Sequence, residues 1–591
     1  MDLMAGVKRT HYCGELRPEH IGKTVTVAGW VQRRRDLGGL IFIDLRDREG
    51  ILQLAFDEAT PTEVFDKASH ARNEFVLMAT GNIRERSSKN TEIPTGEIEL
   101  EVKELKVLAK SETPPFEIVE NSQTSELARL KHRYLDLRRP DLQKNIIMRH
   151  KINKITRDYF DENGFIEIET PILIRSTPEG ARDFLVPSRV HKGSFYALPQ
   201  SPQLYKQLSM VAGFDRYMQI ARCFRDEDLR ADRQPEFTQI DLEMSFVDID
   251  DVLNMVEGYV ARVFSEAIGV EVSLPIPRLT YAQVMERFGT DKPDMRYGME
   301  LFNLSDIVKN CGFGVFSGPV AEGGSVRGIN AKNALSILTR KEIDKLTEFV
   351  KGIGAKGLAW IRLNEDGSCT SSFAKFMTQE EMDGIINAAG AGPGDVVLIV
   401  GDSDDSLVLS VLGALRATVA RRIDIVPKDS FSFLWVVEFP FFEWDRDENK
   451  FVAMHHPFTS PMDDCLEYLE TDKAKVRAKA YDLVLNGIEL SSGSIRITDP
   501  ELQKRIFTLL GLSEEEARAK FGYLIEAFRY GAPPHGGMGI GLDRLIMQML
   551  GCESLRDVVA YPKVQNASEP MTECPGAVDE AQLTDLGLRL V

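Results

Sequence analysis

The stretch CFRDEDLRADRQPEFTQID, residues 223–241, has an apolar start, a loop of alternating charges and an apolar return. This pattern predicts a strand, a charged loop and a second strand. The loop suits a nucleoside triphosphate, because Arg225 can grip phosphate oxygens through paired hydrogen bonds and Phe237 can stack on a base. A salt-bridged surface hairpin is the alternative, although such a hairpin would not require an aromatic residue where the loop returns.

A second informative segment, GGMGIGLDR at residues 536–544, lies far downstream. Its glycines allow a strand to pack closely against a helix, and they also allow a ligand to approach the backbone. A helix predicted over 542–550 places Arg544 in its first turn, where the helix N-terminus already favours anions. The segment is not a P-loop, because no Gly-Lys-Ser/Thr follows the glycines.

A third segment lies upstream of both, where apolar positions at helical spacing predict an amphipathic helix over 142–163. Gly164 ends this helix, and residues 165–170 are predicted to form a strand that runs into Pro171. Alone, this segment indicates little. Its value lies in its order relative to the other two.

The N-terminal hundred residues read as short strands with turn signals between them. The predicted strands cover 24–31, 40–47, 51–56, 75–81 and 97–102, and one helix fits 61–73. Five strands of this kind predict a small barrel, either an OB-type barrel, which binds single-stranded nucleic acid on one face, or another small barrel.

Composition limits the class of protein. A chain of 591 residues is too long to fold around one hydrophobic core, so we expect several domains. No run of eighteen apolar residues predicts a membrane span, and the N-terminus lacks the apolar core of a signal peptide, so a cytoplasmic location is expected. Seven scattered cysteines without a Cys-x-x-Cys pair predict neither disulfides nor zinc. The net charge of −19 argues weakly against a nucleic-acid partner, but basic clusters occur at 33–35 and 131–139.

In this order, the three segments resemble the three signature motifs of class II aminoacyl-tRNA synthetases. Residues 177–183, 200–207 and 453–459 look like the aspartyl branch of that family, and a barrel plus an insertion between motifs 2 and 3 look like its bacterial form. The implied fold class is α+β multidomain: an OB-fold β-barrel, then a catalytic domain on an antiparallel sheet with an α+β insertion. The expected boundaries are 1–110 for the OB-fold anticodon-binding domain, 111–140 for a linker, 141–299 for the first catalytic part, 300–422 for a GAD-like insertion, and 423–591 for the second catalytic part with a C-terminal extension.

The resemblance implies a ligase that activates L-aspartate with ATP and attaches it to tRNA, with release of AMP and pyrophosphate. The residues expected to be catalytic are Arg225, Glu227 and Arg544. Those expected at ATP are Arg225, Asp226, Glu227, Gln234, Phe237, Glu489, Gly541, Leu542, Asp543 and Arg544. The carboxylates of Asp482 and Glu489 suit Mg²⁺, which prefers oxygen ligands. Neither zinc nor an organic cofactor is expected.

Substrate choice is expected to rest on charge. The residues expected at aspartate are Glu179, Ser201, Gln203, Leu204, Tyr205, Lys206, Arg225, Asp241, His455, His456 and Arg496. Among them, Lys206 and Arg496 would hold the side-chain carboxylate, and Glu179, Gln203, Ser201 and Asp241 would accept from the ammonium group. Asparagine would then leave the two cations without a compensating charge, a loss of several kcal/mol at order-of-magnitude level.

For RNA, the family resemblance assigns the anticodon to the barrel, with contacts from Arg35, Phe42 and Gln53. Alternation along its strand leaves open whether Phe42 instead faces the barrel core. The sequence also leaves open whether tRNA(Asn) is charged as well as tRNA(Asp). A homodimer through the motif 1 helix and strand is implied by the resemblance alone.

Three rival functions make different predictions. An amide-forming enzyme of the same catalytic fold, such as an asparagine synthetase, predicts a chain without the N-terminal barrel. A non-catalytic RNA-binding or regulatory protein predicts losses among Arg225, Glu489 and Arg544, and all three are present. An asparaginyl or lysyl relative would not need the cationic pair of Lys206 and Arg496.

Overall fold

The computed structural model describes residues 1–177, 181–229, 231–445 and 449–590. It divides into two compact units, which are described separately. The first unit combines residues 1–148 with 556–577, and the second combines 149–555 with 578–591.

The first unit contains a closed five-stranded barrel with the strand order β1-β2-β3-β5-β4. Its strands are β1 (Thr24–Asp36), β2 (Ile41–Arg46), β3 (Ile51–Phe56), β4 (Val76–Glu85) and β5 (Ile98–Ala109), and its helices are α1 (Thr62–His70), α2 (Glu126–Lys131), α3 (Arg133–Asp136) and the start of α4 (Pro140–Glu162). The alternation in the sequence is borne out, because every second side chain of β2 points into an apolar core. The predicted OB-type barrel is therefore confirmed.

A buried arginine fastens the C-terminal part of this unit to its helices. Arg133 donates to the backbone oxygens of Arg556, Val559 and Ala560, at 2.8–3.0 Å. Its charge is balanced by Asp136, whose Oδ2 lies 2.7 Å from Arg133 Nη1. Residues 556–577 thus belong to the same compact unit as the barrel.

The second unit is built on an eight-stranded, mostly antiparallel sheet with the order β11-β17-β20-β21-β22-β10-β9-β6. Its elements up to residue 300 are β6 (Ile166–Glu167), β7 (Leu185–Pro187), β8 (Phe195–Ala197), α5 (Gln203–Val211), β9 (Arg216–Phe224), β10 (Glu236–Ser245), α6 (Ile249–Ile268), β11 (Arg278–Thr280) and α7 (Tyr281–Phe288). The predicted hairpin is confirmed, since β9 and β10 pair antiparallel from Glu236↔Phe224 onward.

Residues 302–422 add a second, five-stranded antiparallel sheet with the order β12-β13-β16-β14-β15. Its elements are β12 (Phe302–Asn303), α8 (Ser305–Val308), α9 (Gly314–Ala321), β13 (Ser325–Ala331), α10 (Arg340–Gly352), β14 (Ala359–Leu363), β15 (Cys369–Ser371), α11 (Gln379–Ala388), β16 (Val396–Asp402) and α12 (Asp405–Arg422). Helices α10 and α12 contribute to an apolar cluster on one face, and α8, α9 and α11 to a cluster on the other.

The chain then returns to the large sheet. The remaining elements are β17 (Phe433–Val437), β18 (Phe442–Asp445), β19 (Lys450–Ala453), β20 (Ala480–Leu485), β21 (Ile488–Ile495), α13 (Pro500–Leu509), α14 (Glu514–Phe528), β22 (His535–Gly541), α15 (Leu542–Met549) and α16 (Glu580–Leu586). Because β10 pairs with β22 and β22 pairs with β21, segments more than 250 residues apart in sequence become neighbours.

One predicted element is shorter than expected. The strand expected over 165–170 pairs with β9 only at Ile166 and Glu167. It lies at the edge of the sheet, and Pro171, which lacks a backbone N–H, follows closely, so the ladder cannot continue. No helix within the described residues is long and apolar enough to cross a membrane.

Candidate active site

A cavity of about 320 Å³ lies on the large sheet of the second unit. Fifteen of the residues predicted at the site line it: Ser201, Gln203, Lys206, Arg225, Glu227, Gln234, Phe237, Asp241, His455, His456, Glu489, Arg496, Gly541, Asp543 and Arg544. They come from the β9–β10 hairpin, α5, β21, β22, the start of α15 and the loop after β19. The segments 223–241 and 536–544 meet in this cavity because the sheet places β10 beside β22, and β22 pairs in turn with β21. None of residues 142–171, all of which the structure describes, is among the lining residues.

The deep end of the cavity contains a buried cluster of four charges. Lys206 Nζ lies 2.8 Å from Asp241 Oδ1 and 3.4 Å from Glu243 Oε2. Arg496 holds Glu243 at two points, with Nε–Oε1 at 2.9 Å and Nη2–Oε2 at 3.0 Å. Gly537 on the neighbouring strand makes this possible, because a Cβ there would lie 2.2 Å from Glu243 Oε2.

This cluster corrects the expectation that asparagine would leave two cations uncompensated. Lys206 and Arg496 are already balanced by Asp241 and Glu243, so the formal charge of the four groups is zero. Arg496 and Lys206 hold the pKa of Glu243 down at about 2 in spite of its burial. The cluster therefore presents N–H donors without an excess of positive charge.

The two adjacent histidines have different surroundings. Arg496 Nη1 lies 2.8 Å from His456 Nε2, and because an arginine can only donate, the histidine accepts there. Burial and the charge of Arg496 hold the pKa of His456 well below its usual range, so it is neutral at neutral pH. His455 packs edge-on against Phe439 and lies 3.6 Å from Asp482.

Three of the four residues predicted to accept from a substrate ammonium group line the cavity. Asp241 Oδ2 is buried and has no hydrogen-bond partner among the residues that the structure describes. Burial raises the pKa of Asp241, against the opposing effect of Lys206. Ser201 and Gln203 line the same part of the cavity. Glu179, the fourth predicted acceptor, falls outside the described residues.

The other end of the cavity has the arginines expected at a triphosphate. The guanidinium carbon of Arg225 lies 5.2 Å from the ring centroid of Phe237, and Arg225 Nε has no partner within the described part of the chain. Arg544 Nη1 donates to the backbone oxygen of Glu489 at 2.9 Å. Arg544 Nη2 lies 3.6 Å from Asp232, a loose contact that phosphate oxygens could replace.

Two acidic residues were predicted to hold Mg²⁺. Burial and the neighbouring charge of Asp482 raise the pKa of the Glu489 carboxyl. Asp482 Oδ1 is buried, and no hydrogen bond to it is found within the described residues. This pair of carboxylates fits a cation that takes its remaining ligands from phosphates and water, and no group of three or more candidate protein ligands occurs in the described part of the chain.

Some predicted residues do not face the cavity. Leu204 packs in an apolar cluster with Phe458 and Phe521, because it lies on the opposite face of α5 from Lys206. Tyr205, Asp226, Leu542 and Asp482 are also absent from the cavity lining. Asp543 does line it, but its carboxylate is occupied, since Thr238 N donates to Oδ2 at 2.9 Å and Arg149 pairs with Oδ1.

Several lining or supporting residues were missed by sequence reasoning. Glu243 was recoverable in principle, because it lies two residues from Asp241 on the same face of one strand. Asp232 and Arg233 belong to the charged loop that had already been singled out. Ser491 and Ser492 carry no chemical signal of their own, and only the pairing of β21 with β22 places them in the cavity lining.

The barrel residues predicted for RNA form a connected group. Phe42 alternates with the buried Ile41 and Ile43, so its side chain lies outside the barrel core. Arg35 donates to Gln53 Oε1 at 2.8 Å, and its guanidinium carbon lies 5.5 Å from the ring centroid of Phe42. Gln53 is only 4% exposed and donates to Glu99, which limits its freedom to contact a base.

The sheet, its cavity and the separate barrel define a class II aminoacyl-tRNA synthetase. The chain belongs to the family of tRNA synthetases class II (D, K and N), whose model matches residues 125–565, and a model of the OB-fold nucleic acid binding domain matches residues 25–108.

Curated relatives match over nearly the whole chain. The aspartate–tRNA ligase of Ruminiclostridium cellulolyticum is 58% identical over 587 residues, which cover 99% of this chain and 98% of the relative. The aspartate–tRNA(Asp/Asn) ligase of Lachnoclostridium phytofermentans is 55% identical over 589 residues, with 99% and 98% covered.

Solved structures share the fold. The asparaginyl-tRNA synthetase of Pyrococcus horikoshii complexed with asparaginyl-adenylate has a TM-score of 0.60 at 18% identity, with 94% of this chain and 98% of that chain covered. A putative aspartyl-tRNA synthetase from Leishmania major has a TM-score of 0.60 at 19% identity, with 94% of both chains covered.

Proposed function

We propose that this synthetase activates L-aspartate with ATP and transfers it to tRNA. The observation that carries the proposal is the juxtaposition of Lys206 and Arg496 with Asp241 at one end of a cavity whose other end holds Arg225 and Arg544. The relatives named aspartate–tRNA ligase support the same substrate. A cytoplasmic location is also proposed, in keeping with ATP and tRNA as co-substrates.

The first step forms the adenylate. A carboxylate oxygen of aspartate attacks the α-phosphorus of ATP, and pyrophosphate leaves with the electrons of the broken P–O bond. Arg225 would neutralise the charge that develops at the α-phosphate, while Arg544 would hold the far phosphates and Phe237 the adenine. No protein nucleophile is required.

The second step transfers the aspartyl group. A ribose hydroxyl at the RNA terminus attacks the carbonyl carbon of the mixed anhydride, its proton is lost, and AMP leaves. Glu227, which pairs with Arg233 at 3.2 Å in the motif 2 loop, is positioned to contact the adenine amino group or the RNA terminus. The protein supplies position and charge to both steps.

Mg²⁺ would be held by Glu489 and Asp482. When bound, it would neutralise phosphate charge and favour the departure of pyrophosphate. The raised pKa of Glu489 fits this role, because a carboxyl that is costly to ionise alone gains when a cation arrives.

Selection of aspartate over asparagine is proposed to rest on hydrogen-bond direction. Lys206 and Arg496 carry only donors. The side-chain carboxylate of aspartate offers only acceptors, whereas the amide nitrogen of asparagine would turn two further donors toward them. One hydrogen bond to a charged group contributes roughly 1.5–3 kcal/mol, enough for about a 10- to 100-fold preference per bond.

The test is ATP–pyrophosphate exchange with aspartate, asparagine and lysine in turn. We expect exchange that depends on aspartate alone. Equal exchange with asparagine would refute the proposed specificity, and release of free asparagine in the absence of RNA would favour the amide-forming rival.

The RNA partner is proposed to be tRNA(Asp). Relatives named for tRNA(Asp/Asn) are as similar as those named aspartate–tRNA ligase, at 55–56% against 54–58% identity, so acceptance of tRNA(Asn) needs a direct experiment. Purified tRNA(Asp) and tRNA(Asn) would be charged side by side. A failure to charge tRNA(Asp) would overturn the proposal, and the rate with tRNA(Asn) would assign the enzyme to one of the two kinds.

A homodimer through the motif 1 region is also proposed. Ile166, Ile172 and Leu173 follow the motif 1 helix and are 47%, 49% and 52% exposed, an apolar cluster that a second copy could cover. Sedimentation equilibrium should give twice the chain mass of 66.4 kDa. A monomer at micromolar concentration would contradict the assignment.

A further inference from the structure

Beneath the cavity, three buried side chains form one continuous hydrogen-bonded chain. Gln203 Nε2 donates to Gln207 Oε1 at 3.1 Å, and Gln207 Nε2 lies 3.2 Å from His535 Nε2. His535 Nδ1 in turn lies 2.7 Å from the backbone oxygen of Pro533. Gln207 and His535 have no solvent exposure, and Gln203 is 8% exposed where it lines the cavity.

The direction of every bond in this chain is fixed from its far end. A carbonyl oxygen only accepts, so His535 Nδ1 must carry the proton that it shares with Pro533. Burial lowers the pKa of His535, so the imidazole is neutral. Its Nε2 therefore carries no proton and can accept a hydrogen bond. Gln207 must then donate its amide hydrogen to His535, which turns its oxygen toward Gln203.

The last link determines what the cavity receives. Since Gln207 presents its side-chain oxygen to Gln203, the amide nitrogen of Gln203 donates to that oxygen, on the side away from the cavity. The side-chain oxygen of Gln203, Oε1, makes no hydrogen bond to any residue that the structure describes. Reversing the Gln203 amide would place its oxygen against the oxygen of Gln207 in a buried place. One hydrogen bond would be lost, and an acceptor would be left unpaired.

We propose that His535 is a positioning residue that, through Gln207, holds the Gln203 amide with its oxygen toward the α-ammonium group of aspartate. This inference rests on the proposed function, because it assigns to Gln203 the substrate ammonium. His535 is not among the residues that line the cavity, and its side chain is linked to the lining through Gln207 and Gln203.

The test compares aspartate with succinate, which has the same two carboxylates and lacks the ammonium group. The His535→Phe substitution keeps a ring of similar shape and removes both ring nitrogens. We expect the KM for aspartate in ATP–pyrophosphate exchange to rise about 10- to 100-fold. The inhibition constant of succinate and kcat should stay nearly unchanged, because uniform binding of the ammonium group is lost.

Rescue and control variants separate positioning from packing. In His535→Gln the side-chain oxygen can still accept from Gln207, so the KM for aspartate should return to within about threefold of the original value. Gln207→Met keeps a side chain of similar volume but breaks the hydrogen-bonded chain one link nearer the substrate. It should therefore raise the KM for aspartate as His535→Phe does. As a control, Phe528→Leu changes the ring that packs edge-on against His535, with ring centroids 5.9 Å apart, and leaves the hydrogen-bonded chain intact. It should not change the ratio of the KM for aspartate to the inhibition constant of succinate.

The outcomes distinguish the two claims. If the unsubstituted enzyme shows no aspartate-dependent exchange, the proposed function fails. If it does, and His535→Phe weakens aspartate and succinate equally or neither of them, the positioning role is overturned while the function stands. A selective loss for aspartate that His535→Gln restores would establish the role.

Discussion

Arg496 and Glu243 form a two-point ion pair at 2.9 and 3.0 Å, with side-chain exposures of only 1% and 0%. Lys206 lies on the other side of the same carboxylate. This pair explains how a cavity can bring two cations to one substrate carboxylate without accumulating net positive charge in a buried place. It also has consequences for stability that can be measured.

Replacement of Glu243 by glutamine should destabilise the protein in a pH-dependent way. The folded-state pKa of about 2 lies below the usual value near 4.3, so the stabilisation is complete above about pH 5 and is lost as the pH falls toward 2. We expect Glu243→Gln to lower the free energy of unfolding by about 3 kcal/mol at pH 7. The measurement is urea unfolding, followed by the fluorescence of buried Trp435, at several pH values. A difference that stays constant from pH 7 to pH 3 would contradict this account.

Loss of Arg225 should abolish activation and spare RNA binding. The side chain supplies the charge proposed at the α-phosphate, so Arg225→Ala should lower kcat for ATP–pyrophosphate exchange by about 100- to 1000-fold. Arg222→Ala is a matched control, because Arg222 lies in β9 three residues before Arg225 and pairs with Glu236 outside the cavity lining. Exchange would be measured beside filter binding of tRNA. Retained exchange in Arg225→Ala would remove the role assigned to this residue.

Arg544 should affect ATP more than aspartate. Arg544→Gln removes the charge proposed at the far phosphates, and the KM for ATP should rise about 10- to 100-fold while the KM for aspartate changes little. Arg529→Gln, at the exposed end of α14, provides a control with the same chemical change. Steady-state exchange at varied ATP and at varied aspartate gives both constants. Equal increases in both would show that Arg544 serves the cavity as a whole.

Removal of divalent cations should stop exchange, and Asp482 should set how much Mg²⁺ is needed. We expect EDTA to abolish exchange and added Mg²⁺ to restore it. Asp482→Asn should raise the Mg²⁺ concentration for half-maximal exchange by at least about tenfold. Asp472→Asn, a surface change, serves as the control. An unchanged Mg²⁺ requirement in Asp482→Asn would exclude this residue from the Mg²⁺ site and leave it only its contact with His455.

Phe42 should contribute to RNA binding without affecting activation. Its ring lies outside the barrel core, where one stacked base is worth roughly 1–3 kcal/mol. Phe42→Ala should therefore weaken tRNA binding by about 5- to 100-fold and leave RNA-independent exchange unaltered. His70→Ala, an exposed change on α1, is the control. Undiminished tRNA affinity in Phe42→Ala would exclude the ring from the interface.

Local patterns predicted the elements well. The barrel strands, the β9–β10 hairpin and the start of α15 followed from alternation, helical spacing and glycines, because these signals act over a few neighbouring residues. The strand after the motif 1 helix was overestimated, since apolar alternation does not reveal that a strand lies at the edge of a sheet. Leu204 was expected at the substrate because it belongs to the segment 200–207 that resembles the aspartyl branch, and only the orientation of α5 buries it elsewhere.

The sequence by itself determined the class of enzyme, the three motifs and the side chains proposed to meet ATP, because each motif lies within one hairpin, one loop or one helix start. Tertiary structure alone decided the charge balance in the cavity and the direction of the hydrogen bonds beneath it. Glu243 pairs with Arg496 across 253 positions, and Gln207 meets His535 across 328. Such pairs form only when β10, β21 and β22 lie side by side, and the sequence order of a buried acid and a distant base does not indicate that they will meet.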